Sequence, residues 1–194
     1  MALLTREIKD GSYKPPTASD NYLKTREIPR SPDKLRITIL GEDGRPGYEV
    51  WAQGPEKKVA LRFADKPTRE DIDERCKEVG ATNPEYDAKF FMCFPVWNYD
   101  LERVQVFQFS QSTLINPIVE ALSDEEIEIE PWATDFNLSH NGKMLKEKRF
   151  TVTPVTGKRR NKEVRATIDA EFKRLLDEGF DIKRFLIGDP FKAV

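Results

Sequence analysis

The chain has 194 residues, 38% of them hydrophobic and 34% charged, with a net charge of -2. That length allows one domain with extensions or at most two small ones, and the low apolar fraction leaves one modest core under long polar surfaces. No apolar run approaches the roughly 18–20 residues of a membrane span, and the opening MALLTREIKDG lacks a signal-peptide core. A soluble chain of the cytoplasm is the expectation.

Residues 1–33 hold Pro15, Pro16, Pro29 and Pro32 among many charges, without a sustained period, and read as an N-terminal Pro-rich arm. From Lys34 the pattern changes. KLRITIL alternates Leu35, Ile37 and Ile39 with polar neighbours and reads as a strand. GEDGRPG is a turn, and YEVWAQ and KKVALRF are two further strands across Gly54-Pro55. PTREDIDERCKEVGA is a helix: Thr68 caps it, Asp71 completes a capping box and Gly80 stops it.

Two long strands follow, at about 89–99 and 102–110, joined by the hairpin turn NYDLE. STLINPIVEALSD is a helix whose Pro117 kinks or shortens its first turn. A strand at DFNLS, a loop HNGKMLKEK and a strand RFTVTPV close the sheet, with His140 read as an exposed turn residue. EVRATIDAEFKRLLDEGF is an amphipathic helix with Ile168, Phe172, Leu175 and Leu176 on one stripe and Gly179 as its stop. This order predicts a mainly β fold: an OB-like antiparallel barrel over 34–155 with an inserted helix, preceded by the arm and followed, over 156–194, by a basic linker and the C-terminal helix.

Catalytic motifs are missing. There is no P-loop, no dinucleotide fingerprint and no nucleophile elbow. Cys76, Cys93 and the single His140 make neither a disulfide framework nor a four-ligand zinc site without carboxylates. No enzyme activity, metal or cofactor is expected. Charge, by contrast, is strongly segregated. Seven acids and no base lie between Val119 and Asp135, whereas Lys143 to Arg165 holds nine bases against Glu147 and Glu163. Lys143, Lys146, Lys148 and Arg149, with Lys158, Arg159 and Arg160 of GKRRNK, form a basic stripe suited to phosphates.

Rings concentrate in the hairpin AKFFMCFPVWNYDLERVQVFQFSQ, which holds Phe90, Phe91, Phe94, Trp97, Tyr99, Phe107 and Phe109. Both alternating sets of its first strand are apolar. If Phe90, Met92, Phe94 and Val96 line a barrel with Val104 and Val106, the second face presents Phe91, Trp97, Tyr99, Arg103, Gln105 and Phe107. Such a face has the composition of a stacking platform for bases. Trp51 and Arg62, on the preceding strands, extend the candidate surface. The competing reading covers the second face with a helix, as on a central strand buried on both sides. Pro95 marks an edge or a bulge there.

FPVWNYDLERVQVFQFSQSTLINPIVEAL, followed by DFNLSHNGK and KRFTVTPV, resembles the phage-type single-stranded-DNA-binding proteins of replication modules, over roughly residues 34–155. The resemblance implies an OB fold that coats single-stranded DNA without sequence preference. It points to Trp97, Tyr99, Arg103 and Gln105 on the hairpin, and to Lys143, Lys146, Lys148 and Arg149 beyond it. It further implies replication or recombination proteins as partners and, for a phage-encoded chain, the host cytoplasm. Two family features are missing: an acidic C-terminal tail, since the chain ends IGDPFKAV, and a zinc ribbon.

A non-catalytic single-stranded-DNA-binding protein is therefore the leading expectation. The alternative is a protein–protein adaptor that docks through the same aromatic hairpin. A nuclease using the acids is the third reading. The N-terminal arm and the C-terminal helix are both free to reach a neighbour for self-association.

Overall fold

The computed structural model describes residues 18–41, 44–123, 135–142, 149–155 and 162–192. Eight strands form one mixed sheet: β1 (Tyr22–Leu23), β2 (Leu35–Ile39), β3 (Arg45–Gln53), β4 (Lys58–Phe63), β5 (Lys89–Asn98), β6 (Arg103–Phe109), β7 (Asp135–Asn141) and β8 (Arg149–Val155). Three α-helices accompany them: α1 (Arg69–Val79), α2 (Ser112–Ser123) and α3 (Lys162–Asp177). The order across the sheet is β1-β6-β5-β2-β7-β8, with β3 branching from β5 and carrying β4. Among the described strand pairs only β1–β6 is parallel. The protein is mainly β, and the sheet is open: β8 has β7 as its sheet neighbour, and no described pairing joins the two ends. No described helix is long and apolar enough to cross a membrane.

Strand β5 organises the molecule. Along one edge it pairs first with β3, from Lys89 to Cys93, and then with β2, from Val96 to Asn98. Pro95 falls between these two partners, where a missing N–H breaks neither ladder, and its carbonyl still accepts from the Leu40 N–H at 2.9 Å. At the β3 crossing, Gly47 is required by space: a Cβ there would come within 2.7 Å of the Phe91 ring and 2.9 Å of the Phe63 carbonyl.

One face of the sheet buries Ile37, Ile39, Phe94, Val96, Phe107, Phe136 and Leu138 against Leu114 and Ile118 of α2. α2 runs unbroken through Pro117, and its Thr113 hydroxyl accepts the Phe150 N–H of β8 at 3.3 Å. A second cluster packs Ile72 and Cys76 of α1 on Val50, Ala52 and Leu61 of β3 and β4. α1 begins and ends as its sequence dictates. The Thr68 N–H donates to Asp71 Oδ2 at 2.8 Å, the Asp71 N–H donates to Thr68 Oγ1 at 3.2 Å, and Gly80 closes the helix at φ 66°.

Both ends of the chain join the sheet. β1 lies along β6, pairing Tyr22 with Val106, and Arg30 bridges to His140. The C-terminal part, α3 and a 3-10 turn at Ile182–Leu186, lies across the opposite face of β5 and β6. There it buries Phe91, Cys93, Trp97, Val104 and Val106 beneath Ile168, Phe180, Ile182 and Phe185. Each large side chain so buried contributes about 1.5–3 kcal/mol. The aromatic hairpin is a central layer with a core on either side.

Candidate nucleic-acid interface

The turn of the aromatic hairpin sets which rings share a face. Asn98 pairs with Arg103 around four turn residues, and Asn98 Oδ1 accepts the N–H groups of Asp100 (3.0 Å) and Leu101 (3.3 Å). Glu102 turns the chain back in the left-handed region at φ 49°. This closure pairs Phe94 with Phe107, Val96 with Gln105 and Trp97 with Val104. The face assignment expected from sequence is corrected: Val104 and Val106 share a face with Trp97 and Cys93, while Gln105 and Phe107 share one with Val96 and Phe94. A one-residue difference of register exchanges every side chain between faces.

Neither face of the hairpin is an open platform. Phe91 is 1% exposed and meets Phe185 edge-on, with ring centroids 5.8 Å apart. Trp97 is 5% exposed in the cluster with Ile168. Phe107 is fully buried against Phe109 at 4.6 Å. Gln105 is buried too: its amide donates to the Asp20 carbonyl at 2.6 Å, and its Oε1 accepts from Asn98 Nδ2 at 2.8 Å. Arg103 Nη2 donates to Asn21 Oδ1 at 2.9 Å. Gln105 and Arg103 thus hold the segment leading into β1, and Phe91, Trp97, Gln105 and Phe107 are enclosed within the chain rather than presented to a base or a partner.

Arg62 is also engaged. Its guanidinium lies 4.0 Å over the Phe185 ring, donates to the Phe185 carbonyl and to Gln108, and stands 3.4 Å from Glu49. It fastens the C-terminal turn to the sheet. Trp51, at the far end of β3, keeps 37% of its surface open.

An open surface lies elsewhere, on the face of β2, β7 and β8 turned away from the α2 core. Arg36 pairs with Asn137, and Asn137 with Thr153, so these side chains form one row across three strands. Tyr99, whose N–H donates to the Arg36 carbonyl at 3.2 Å, extends the row beyond β5. The Arg36 guanidinium stacks on the Tyr99 ring at 4.5 Å. One side-chain pair further along, Asp135 is buried and fixes this arrangement. It accepts from Arg36 Nε at 2.9 Å, from Arg36 Nη2, and from the Tyr99 hydroxyl at 3.1 Å. In the other direction the face continues with buried Ser139 and exposed Thr151, then exposed Asn141 and Arg149. Successive rows stand about 6.8 Å apart, two strand residues. The side chains are short and polar, punctuated by Arg36 and the exposed Arg149.

In chain order β8 lies between the two basic stretches. Residues 143–148 connect β7 to β8, and residues 156–161 connect β8 to α3. Lys143, Lys146, Lys148, Lys158, Arg159 and Arg160 lie outside the described residues, as do the acids of 124–130. Of the residues expected at a site, the sheet brings Tyr99 and Arg149 to this face. The face gathers the Arg36 and Tyr99 planes, the amides of Asn137 and Asn141 and the cation of Arg149. No family model, curated protein or solved structure matches the chain.

Arg36, Asn137 and Thr153 were not among the residues singled out from sequence, and Asp135 was read there only as the last of the seven acids. Their signal was the alternation in LRITI and DFNLSHN, which sets polar side chains opposite Leu35, Ile37, Phe136 and Leu138. His140 also departs from expectation. It belongs to β7, is 7% exposed and meets Phe150 edge-on at 6.1 Å, because the strand continues to Asn141 and the 29–31 segment closes over it.

Proposed function

We propose that the protein binds single-stranded DNA without sequence preference and without catalysis, on the polar face of β2, β7 and β8. The observation that carries this reading is the row Tyr99, Arg36, Asn137 and Thr153, which ends on β8, the strand that lies in the chain between two basic segments. Single-strand binders combine flat stacking groups with cations that follow the backbone. The preassembled Arg36–Tyr99 stack supplies the first, and the nine bases from Lys143 to Arg165 supply the second. An OB-type arrangement of the strands, a phage-type replication or recombination setting, partners from that machinery and action in the cytoplasm belong to the same proposal.

The test is a titration with fluorescent dT oligomers of several lengths at two or more salt concentrations. Affinity should rise with length and fall with salt, at about -0.7 in log–log slope for each phosphate neutralised on a single strand. No binding at low salt would sink the proposal. Quenching of buried Trp97 is not expected, because α3 lies over that ring.

A further inference from the structure

We propose that the Arg36 guanidinium is the seat of one unpaired nucleobase, with Asn137 and Thr153 meeting that base's edge or its sugar. This rests on the single-strand reading of the same face and specifies which atoms take a base rather than a phosphate.

Three observations decide between those two roles for Arg36. The buried carboxylate of Asp135 already receives Nε and Nη2, so the pair is close to neutral as a unit and attracts phosphate weakly. The same two bonds, with Tyr99 beneath at 4.5 Å, set the orientation of the guanidinium plane. Its side chain nevertheless keeps 39% of its surface open. What such an arginine offers a ligand is its second plane. A guanidinium plane stacks on heteroaromatic rings in a way that the compact ammonium of lysine does not reproduce. The neighbours fit a base as well. Asn137 carries two donors and an acceptor, and exposed Thr153 a hydroxyl that can turn to give or receive. These groups can satisfy any base edge, which agrees with binding that is indifferent to sequence. A base on this plane must be free of its complementary strand, so the seat selects single strands over duplex. Arg149, whose N–H donates to Asn141 Oδ1 at 3.2 Å, stands two rows away and is placed for a following phosphate.

The experiment compares two fluorescent twelve-mers, oligo-dT and an abasic oligomer of equal charge, against the full chain at low salt. The wild-type protein should bind oligo-dT about tenfold more tightly than the abasic strand. Arg36→Lys keeps the charge and a partner for Asp135 but removes the plane. It should weaken oligo-dT binding about tenfold, towards the abasic value, and leave abasic affinity and the salt slope unchanged. Equal binding of both strands by the wild type, or retention of the preference by Arg36→Lys, overturns the base seat and leaves single-strand binding through the phosphates standing. Absence of binding to either strand overturns both. A measurement on the wild-type protein guards against a variant that misfolds. The Arg36 Nε–H resonance should move upfield under the ring current of a stacked thymine in the saturated complex. A resonance that stays still there overturns the proposal.

Discussion

Two parts of the sheet face turned away from α2 carry opposite kinds of residue and meet opposite fates. Around Phe91, Cys93, Trp97 and Val106 the surface is ring-rich, and the C-terminal part of the chain lies on it, fastened by Arg62 on Phe185 and by the Tyr22 hydroxyl donating to Asp189 at 2.9 Å. Around Arg36, Asn137, Thr151 and Thr153 the surface is polar and much of it is open. A patch of rings offers the larger gain on burial, so the chain itself takes it. A face of short polar side chains gains little from being covered and is left for water or for a ligand that brings its own flat surfaces. The richest aromatic stretch of a sequence is therefore a poor guide to its binding site when another segment of the same chain is amphipathic.

The comparison breaks most directly at Phe185. Phe185→Ala should cost about 3–5 kcal/mol in urea unfolding, as for other buried phenylalanines cut to alanine, because it empties the pocket over Phe91 and removes the Arg62 stack. A cost below about 1 kcal/mol would mean that the C-terminal turn does not cover the hairpin in solution. Arg36→Ala comes next. It strips the buried Asp135 carboxylate of its charged partner while leaving Tyr99, and should cost about 1–3 kcal/mol. A neutral result would show that water reaches Asp135.

Alkaline pH sharpens the contrast further. Burial pushes the Cys93 thiol well above its ordinary value of 9.0, and burial, with the Asp189 hydrogen bond, pushes the Tyr22 hydroxyl well above 10.0. Both groups keep in the folded state protons that the unfolded chain releases. Their contribution is complete below about pH 9 and declines as pH rises beyond it. Urea midpoints measured between pH 8 and 11 should fall progressively, and a flat profile would argue against a closed cover over these groups. The smallest effect is expected at Trp51. Trp51→Ala should change stability by no more than about 0.5 kcal/mol, since the ring is 37% exposed. A larger loss in the same unfolding assay would place Trp51 in contacts beyond those of β3 and β4.

Elements with local causes were legible. The capping box at Thr68 and Asp71, the stop at Gly80, the stripe of α3 and the alternation of β2 all read directly from neighbouring residues. The 22–23 strand was not, because a two-residue strand has no period and exists only through its pairing with β6. The expected antiparallel closure likewise gave way to an open sheet with one parallel pair among the described strand pairs. Of the site, Tyr99 and Arg149 were visible as a ring and a cation. Arg36, Asn137 and Thr153 were not, because a polar residue in an alternating strand looks the same whether it faces bulk water or a built row.

What the sequence determined by itself was the alphabet of elements: a mainly β chain with three capped or amphipathic helices and a charge map split between adjacent segments. Those properties arise from interactions a few residues apart, such as caps, turns and the two- and 3.6-residue periods. Tertiary structure alone decided which segment covers each apolar face of the hairpin. The hairpin's four-residue turn fixed the register, and α3, arriving from more than 50 residues later, covered the side of Trp97 and Val104. That choice depends on the summed burial of distant partners, and no local pattern carries it.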